Sequence, residues 1–337
     1  MRRTILAALA CLGLALEAGA TVKPDFVVAT DGSGDFRTVQ EAINACPDYS
    51  HEVITHIFIK PGIYHERVII PHNKFRLHIY GQDAASTVIT YGLAATDTWP
   101  GTENKVGTSG SATMYIHSSY VTLEDLTIAN SAGSGKIVGQ AVALFTDSDF
   151  LFVHRCRLLG FQDTLYTYGR YGKDGGVKRN YYLDCYIEGE TDFIFGPSVC
   201  LFENCTIHSK YNSYITAAST FEGQKYGYVF LHCTLTADPG VDRVYLGRPW
   251  RPFAKTVWIE CEMGAHIRPE GWHNWKKPDA ERTSFYAEYG CTGPGSDTSA
   301  RVSWCHLLSA EQAAEYTFEK IMFQHQDGIV WNPFDNK

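Results

Sequence analysis

Residues 150–158 read Phe-Leu-Phe-Val-His-Arg-Cys-Arg-Leu, an apolar run that ends in a cysteine between polar residues. Similar fragments surround four further cysteines, Cys185, Cys205, Cys233 and Cys261. The steps between successive cysteines are 29, 20, 28 and 28 residues. A repeat of short strands with a period of roughly 20–30 residues is typical of a solenoid. We therefore predict an all-β chain, a parallel β-helix in which each coil stacks on the one before it.

The cysteines of these fragments are predicted to be free thiols. Equivalent side chains of successive coils form ladders inside a solenoid, and a thiol packs there as a small apolar group. The alternative is one or two disulfides, because the chain has ten cysteines and adjacent members of a ladder are close enough to pair.

Two segments are predicted to close the ends of the coil stack. Thr38 and Glu41 form a capping box before the apolar face of residues 39–46, which predicts an N-terminal capping helix. Residues 307–322 contain a second helix-start signal and are predicted to pack as a C-terminal helical tail. Residues 264–300, with several glycines and prolines, are predicted to be a loop.

Residues 1–20 have the pattern of a signal peptide. Arg2 and Arg3 precede an apolar stretch, and Ala18-Gly19-Ala20 fits a small-residue cleavage site. A transmembrane anchor is the alternative, but the apolar run is too short to span a bilayer. We therefore expect secretion, to the extracellular space or the periplasm, and a mature chain of residues 21–337 that forms a single β-helix domain.

The chain is acidic, with a formal charge of -8 at pH 7. This charge argues against nucleic acid or anionic lipid as the main partner. An anionic substrate would have to be bound by local groups rather than by the overall field.

Asp192 lies in the stretch Gly-Glu-Thr-Asp-Phe-Ile-Phe-Gly, residues 189–196, which predicts a buried strand. A carboxylate buried in such a run costs several kcal/mol unless a charged or hydrogen-bonding group meets it. Asp163 precedes Asp192 by 29 residues, the same step as between two of the cysteines. We therefore expect the two carboxylates on the same face, about 4.8 Å apart on adjacent coils.

Two carboxylates this close do not ionise together easily, so one pKa is expected to rise while the other stays low. Arg248 is the predicted partner that keeps the second group ionised. Gln140 and Gln162 are candidate hydrogen-bond donors to an oxyanion; the alternative is a polar ladder between coils. The candidate platforms for a sugar ring are aromatic: Trp250, Tyr166, Phe161, Phe195 and Trp272.

Several short motifs, in order along the chain, resemble those of the pectin methylesterases. They are Asp-Gly-Ser-Gly (31–34), Thr-Val-Gln-Glu-Ala (38–42), Gly-Ile-Tyr-His-Glu (62–66), Gln-Ala-Val-Ala-Leu (140–144), Gly-Phe-Gln-Asp-Thr-Leu-Tyr (160–166), Asp-Phe-Ile-Phe-Gly (192–196) and Leu-Gly-Arg-Pro-Trp (246–250). The resemblance extends over about residues 25–310. It implies a right-handed parallel β-helix that removes methyl esters from the galacturonate units of pectin.

The resemblance also implies a role for each motif residue. Asp192 would be the nucleophile and Asp163 the general acid and then base. Gln162 and Gln140 would stabilise the oxyanion, and Arg248 would orient Asp192. Trp250 would line the sugar site, and the Ser-Ala-Thr segment that ends at Thr113 is a further candidate substrate contact. The family uses no metal or cofactor, and we expect a monomer whose partner is pectin.

Two departures from the family pattern stand out. Glu190 and Thr191 replace the usual Thr-Val before the aspartate. If the strand alternates, Glu190 points away from Asp192 and should be harmless; the alternative is that this extra acid shifts the pKa values of the site. Residues 108–110, Thr-Ser-Gly, precede Ser111 where the family often has an aromatic residue, so one substrate contact is missing or comes from elsewhere.

Other functions fit parts of the pattern. A glycosidase also uses two carboxylates, and a pectate lyase would need several clustered acids for calcium, which the sequence does not group. A catalytically inactive β-helix that binds polysaccharide would make Asp192 and Arg248 a structural ion pair. His51, His56, His65 and His72 have no metal-site spacing, so no metal site is predicted.

Overall fold

The computed structural model describes residues 23–169, 177–323 and 331–336. The predicted signal peptide, residues 1–20, lies outside the described residues. Within them, the strands in chain order are β1 (Phe26–Val28), β2 (Thr55–Ile59), β3 (Gly62–His65), β4 (Val68–Ile70), β5 (Leu77–Gly81), β6 (Thr87–Tyr91), β7 (Met114–Ile116), β8 (Thr122–Glu124), β9 (Thr127–Asn130), β10 (Leu144–Thr146), β11 (Leu151–His154), β12 (Arg157–Leu159), β13 (Leu165–Thr167), β14 (Arg179–Leu183), β15 (Tyr186–Gly189), β16 (Ile194–Gly196), β17 (Val199–Glu203), β18 (Thr206–Ser209), β19 (Tyr214–Ala218), β20 (Tyr228–Leu231), β21 (Thr234–Ala237), β22 (Tyr245–Gly247), β23 (Lys255–Ile259), β24 (Glu262–Met263), β25 (Phe285–Tyr289) and β26 (His306–Leu307).

The strands form three parallel sheets that run the length of the molecule. Sheet A has the order β1-β2-β5-β8-β11-β14-β17-β20-β23-β25-β26, sheet B the order β24-β21-β18-β15-β12-β9-β6-β3, and sheet C the order β22-β19-β16-β13-β10-β7-β4. Each complete coil places one strand in each sheet, and each strand pairs with its equivalents in the neighbouring coils. The predicted right-handed parallel β-helix is confirmed.

A ladder of thiols lies inside the stack. The pairing of β12, β15, β18, β21 and β24 aligns the residue before each of these strands. Those residues are the five repeat cysteines, which are buried and free. Among the described residues no disulfide is present, so the free-thiol prediction is confirmed and the disulfide alternative is wrong for them.

The N-terminal capping helix forms as predicted. α1 (Val39–Ala45) begins after Thr38, whose side chain accepts from the Glu41 backbone N–H while the Glu41 carboxylate accepts from Thr38 N–H. Val39, Ala42 and Ile43 of this helix are buried against the first coils. The helix therefore covers core that the first coil would otherwise expose.

The C-terminal tail is helical, but in two pieces, α4 (Ala310–Ala313) and α5 (Phe318–Met322). They follow two further short helices, α2 (Gly135–Val138) and α3 (Ala280–Thr283), and 3-10 turns lie at Thr108–Gly110 and Pro333–Asn336. Ile321 and Met322 are buried in an apolar cluster on the outer face of sheet A.

The prediction of a continuous loop over residues 264–300 is wrong. The segment contains α3 and β25, and β25 pairs along its whole length with β23. The strand Phe-Tyr-Ala-Glu-Tyr buries Tyr286, Ala287 and Glu288. In the described part of the chain, no helix has the length and apolar character needed to cross a bilayer.

Candidate active site

Asp163 and Asp192 occupy equivalent turns of adjacent coils, each just before a strand of sheet C. The pairing of Leu165 with Ile194 places the two aspartates in register. The Asp163 N–H donates to the Thr191 carbonyl at 3.0 Å, which fixes one turn against the other. The expectation that one coil separates the two carboxylates therefore agrees with the register.

The stretch 189–196 is not the single strand that we expected. β15 ends at Gly189, β16 begins at Ile194, and the residues between them form a turn. Asp192 has a φ of 49° and Asp163 a φ of 67°, in the left-handed region that asparagine and aspartate tolerate better than most residues. The turn lifts Asp192 out of strand alternation and directs its carboxylate toward the outer face of sheet C.

Arg248 holds Asp192 with two charge-assisted hydrogen bonds. Its Nε donates to Oδ1 at 2.9 Å and its Nη2 to Oδ2 at 2.6 Å. The guanidinium is itself sandwiched between aromatic rings, 3.8 Å from the ring centre of Tyr214 and 3.6 Å from that of Trp275. Such packing fixes the planar fork, so the orientation of the carboxylate is fixed as well.

The two aspartates differ in protonation. Burial raises the pKa of Asp163 well above its usual range; the nearby charge of Asp192 raises it further, and Arg248 opposes both effects. Burial also raises the pKa of Asp192, against the hydrogen bonds and charge of Arg248, so our expectation of an unraised value is wrong for this group. Since only Asp192 bonds to the guanidinium, Asp192 ionises first and Asp163 keeps its proton to higher pH.

Gln140 and Gln162 line the same cleft, which has a volume of about 520 Å³ and contains both aspartates and Arg248. Within the described residues, neither side-chain amide has a hydrogen-bond partner. The alternative of a polar ladder between coils therefore has no support in the described structure. Both amides are available to a ligand in the cleft.

Three of the predicted aromatic platforms form one wall of the cleft. Tyr166 and Phe195 stack with ring centres 4.2 Å apart, on adjacent strands of sheet C. Trp250 meets both rings edge-on, at 6.2 Å from Tyr166 and 5.8 Å from Phe195. The wall is apolar and flat, which suits the carbon face of a sugar ring.

The other three candidate contacts lie away from the cleft. Trp272 is only 1% exposed, because its indole stacks on Tyr286 and its N–H donates to the buried carboxylate of Glu288. Thr113 is fully buried and donates its hydroxyl to backbone carbonyls. Phe161 lies under the Lys210 ammonium, 3.7 Å from its ring centre, rather than on the cleft wall.

Sequence reasoning missed two parts of the cleft. Trp275 lies over Arg248 and closes one side, although no motif singles it out from Trp272 three residues earlier. Residues 106–109, which run into the 3-10 turn, also line the cleft. They overlap the segment 108–110, where the expected aromatic residue is absent.

Glu190 forms hydrogen bonds with residues at the start of α2. Its carboxylate accepts from the Ser134 hydroxyl at 2.8 Å and from the Gly135 N–H at 2.8 Å. Gly135 packs directly on Gln162, since a Cβ at Gly135 would come within 2.5 Å of the Gln162 Cβ. Glu190 thus holds the start of the segment 134–139, which contains α2 and is called here the α2 loop. This loop contacts Gln162 and is followed directly by Gln140.

Comparison with known proteins identifies the family. The pectinesterase family model matches residues 25–326. Pectinesterase 31 of Arabidopsis thaliana is 39% identical over 304 residues, which cover 89% of this chain and 92% of that protein. Pectinesterase/pectinesterase inhibitor U1 of Solanum lycopersicum is 36% identical over 88% of this chain, and the match spans 50% of that longer protein.

Solved structures agree in fold. A pectin methylesterase from carrot superposes with a TM-score of 0.82 at 32% identity, covering 93% of this chain and 98% of that one. A pectin methylesterase solved in complex with a hexasaccharide has a TM-score of 0.77 at 30% identity, covering 93% and 99%. The chain therefore belongs to the pectinesterase family.

Proposed function

We propose that this chain hydrolyses the methyl esters of galacturonate units in pectin and releases methanol and de-esterified pectate. The observation that carries the proposal is the pairing of Asp163 and Asp192 on adjacent coils, with Arg248 bound to only one of them. At a pH between the pKa values of the two groups, Asp192 is a carboxylate and Asp163 beside it is a carboxylic acid. Attack on an ester requires the first form, and protonation of the leaving group requires the second.

In the first half of the proposed reaction, an Asp192 oxygen attacks the ester carbonyl carbon. The negative charge that develops on the carbonyl oxygen is stabilised by the amides of Gln140 and Gln162. When the tetrahedral intermediate collapses, Asp163 gives its proton to the departing methoxide, so methanol leaves. The galacturonyl group remains on Asp192 as an acid anhydride.

In the second half, Asp163 is a carboxylate and accepts a proton from water. The resulting nucleophile attacks the galacturonyl carbon of the anhydride, and the same two amides stabilise the second oxyanion. Collapse releases Asp192 as a carboxylate and a galacturonic acid unit in the polymer. Asp163 ends protonated, as it began, and the steps need only these side chains and water.

The aromatic wall is proposed to position the polymer. Tyr166, Phe195 and Trp250 present flat apolar surfaces beside the two aspartates. A sugar ring held there places its C6 ester over Asp192, and such positioning supplies a large part of an enzyme's rate enhancement. We also propose that the signal peptide at residues 1–20 directs secretion and that the mature chain is a monomer.

The test is methanol release from highly methylated pectin by the parent, Asp192→Ala and Asp163→Ala proteins. We expect the parent to release methanol without shortening the polymer, and both variants to lose most of the activity. Asp279→Ala is the matched control, because the Asp279 side chain is 87% exposed. Shortened chains or an unsaturated product would indicate a glycosidase or a lyase. Full activity in the Asp192→Ala protein would overturn the proposal.

A further inference from the structure

Three potential metal ligands lie together at one end of sheet C, outside the cleft. His72 follows β4, His117 follows β7 and Asp147 follows β10, so successive coils supply one group each. One ligand atom from each residue lies within 4.8 Å of the others. The residues are 45 and 30 positions apart in the chain, and therefore no sequence spacing indicates the cluster.

The backbone of this cluster is held by the sheet. The His117 N–H donates to the Ile70 carbonyl at 2.9 Å, and the Asp147 N–H donates to the Ile116 carbonyl at 2.8 Å. The His117 ring packs against Tyr115 and Phe145. Two of the three ligands are thus fixed in place before any ion binds.

The buried negative charge of Asp147 has no cation at hydrogen-bonding distance within the described residues. Asp147 is only 5% exposed, and its ion pair with Lys178 spans 3.6 Å, longer than a hydrogen bond. Within the described residues, no closer contact to its side-chain oxygens is present. A buried carboxylate in this state favours a cation that approaches to bonding distance.

We propose that His72, His117 and Asp147 bind a divalent transition-metal ion of the Zn²⁺ class. Two imidazoles and one carboxylate suit zinc and its neighbours, whereas calcium and magnesium prefer oxygen ligands throughout. Bond lengths near 2.0–2.1 Å require the ligand atoms to draw closer than 4.8 Å. His72, whose exposed ring lies 5.3 Å from the His117 ring centre, supplies this movement. Water fills the remaining position.

The bound ion ties three coils together. Those coils carry Tyr115 and Phe145, whose rings contact each other, and the Phe145 ring contacts Tyr166 of the aromatic wall. An ion that binds the folded chain alone stabilises it by mass action. At a free concentration one hundred times its Kd, we expect the ion to raise Tm by about 4 °C for a chain of this size.

The experiment is a titration of the metal-free full chain with Zn²⁺ by calorimetry, together with thermal unfolding and the visible spectrum of the Co²⁺ form. We expect one ion per chain and a d–d spectrum of low coordination number. His72→Ala should weaken binding at least tenfold without lowering the Tm of the metal-free protein, because His72 is exposed. Asp147→Asn should weaken binding by at least the same factor.

Two further variants make the result specific. His65→Ala removes another exposed histidine, on sheet B, and should leave the affinity unchanged. Lys178→Met removes the ammonium that competes for Asp147 and should tighten binding at least threefold. A parent that binds no ion at this stoichiometry, or a His72→Ala protein that binds as tightly as the parent, would overturn the proposal.

Discussion

Asp192 and Arg248 form a two-point ion pair in which Nε and Nη2 of the guanidinium each donate to one carboxylate oxygen, at 2.9 and 2.6 Å. Asp192 is 6% exposed, so most of its solvation comes from this one partner. The pair therefore controls both the direction in which the carboxylate points and the pH at which it ionises.

Replacing Arg248 should shift the acid limb of the pH–rate profile to higher pH. Arg248 lowers the pKa of Asp192 against the effect of burial, and without it the carboxylate protonates at higher pH. Arg248→Lys keeps a charge but loses the fork, so we expect kcat/KM to fall by about 10²-fold with a smaller shift than in Arg248→Ala. Arg251→Lys, in a separate pocket beside the cleft, should leave the limb in place. An unmoved limb in Arg248→Ala would contradict this account.

Asp163→Asn should stabilise the protein at neutral pH while abolishing turnover. Above the unfolded-state pKa of about 3.9, the folded chain keeps a proton on Asp163 that the unfolded chain releases. Stability then falls by about 1.4 kcal/mol per pH unit until the folded-state pKa is reached. Asparagine escapes this loss, so its gain in Tm should grow from about pH 4 upward and vanish below it. Parallel Tm–pH curves for the parent and variant would refute the assignment, and Asp279→Asn is the control.

The coil architecture was predictable because a solenoid converts sequence spacing directly into position. The step of 29 residues between Cys156 and Cys185 is also the step between Asp163 and Asp192, and both pairs lie in register. The capping helix was predictable for a local reason, since Thr38 and its capping box act within one turn.

The turn at Asp192 and the places of the two tryptophans could not be predicted, because they depend on contacts between residues distant along the chain. The aromatic neighbours of Asp192 predict a strand, whereas pairing between coils places Asp192 in a turn. Nothing in the sequence around Trp272 and Trp275 indicates which of the two tryptophans faces the cleft. Glu288, buried on β25, draws Trp272 inward, while Trp275 remains at the cleft over Arg248.

Removing the amide of Gln162 should lower kcat by about 100- to 1000-fold, because one oxyanion donor contributes about 3–4 kcal/mol. Gln162→Met keeps the volume against Gly135 and isolates the loss of the donor. KM should change little, since the hydrogen bond strengthens only as charge develops. Initial rates of methanol release over a range of pectin concentrations measure both constants. A rise in KM with unchanged kcat would show that Gln162 binds substrate only.

The thiol ladder should stabilise the fold through packing alone. Cys205→Ala leaves a small cavity between Cys185 and Cys233, so we expect a loss of about 1–2 kcal/mol in unfolding free energy. Cys291→Ala, at a partly exposed thiol that the Glu262–Thr292 bridge places beside Cys261, should cost less. Denaturant unfolding measures both, and a reducing agent should leave the parent curve unchanged. A destabilised parent in reductant would show that disulfides hold the coils together.

Glu190 should act on the rate through the two glutamines rather than through Asp192. Glu190→Ala frees Ser134 and Gly135, so the α2 loop shifts against Gln162, and a displacement of this kind costs about 10- to 100-fold in kcat. Glu190→Gln keeps one acceptor and should recover part of the loss, with KM and the acid limb unchanged in both variants. Glu188→Gln, two residues earlier in β15 and paired with Lys210, is the matched control. A shifted acid limb in Glu190→Ala would mean instead that its charge acts directly on Asp192.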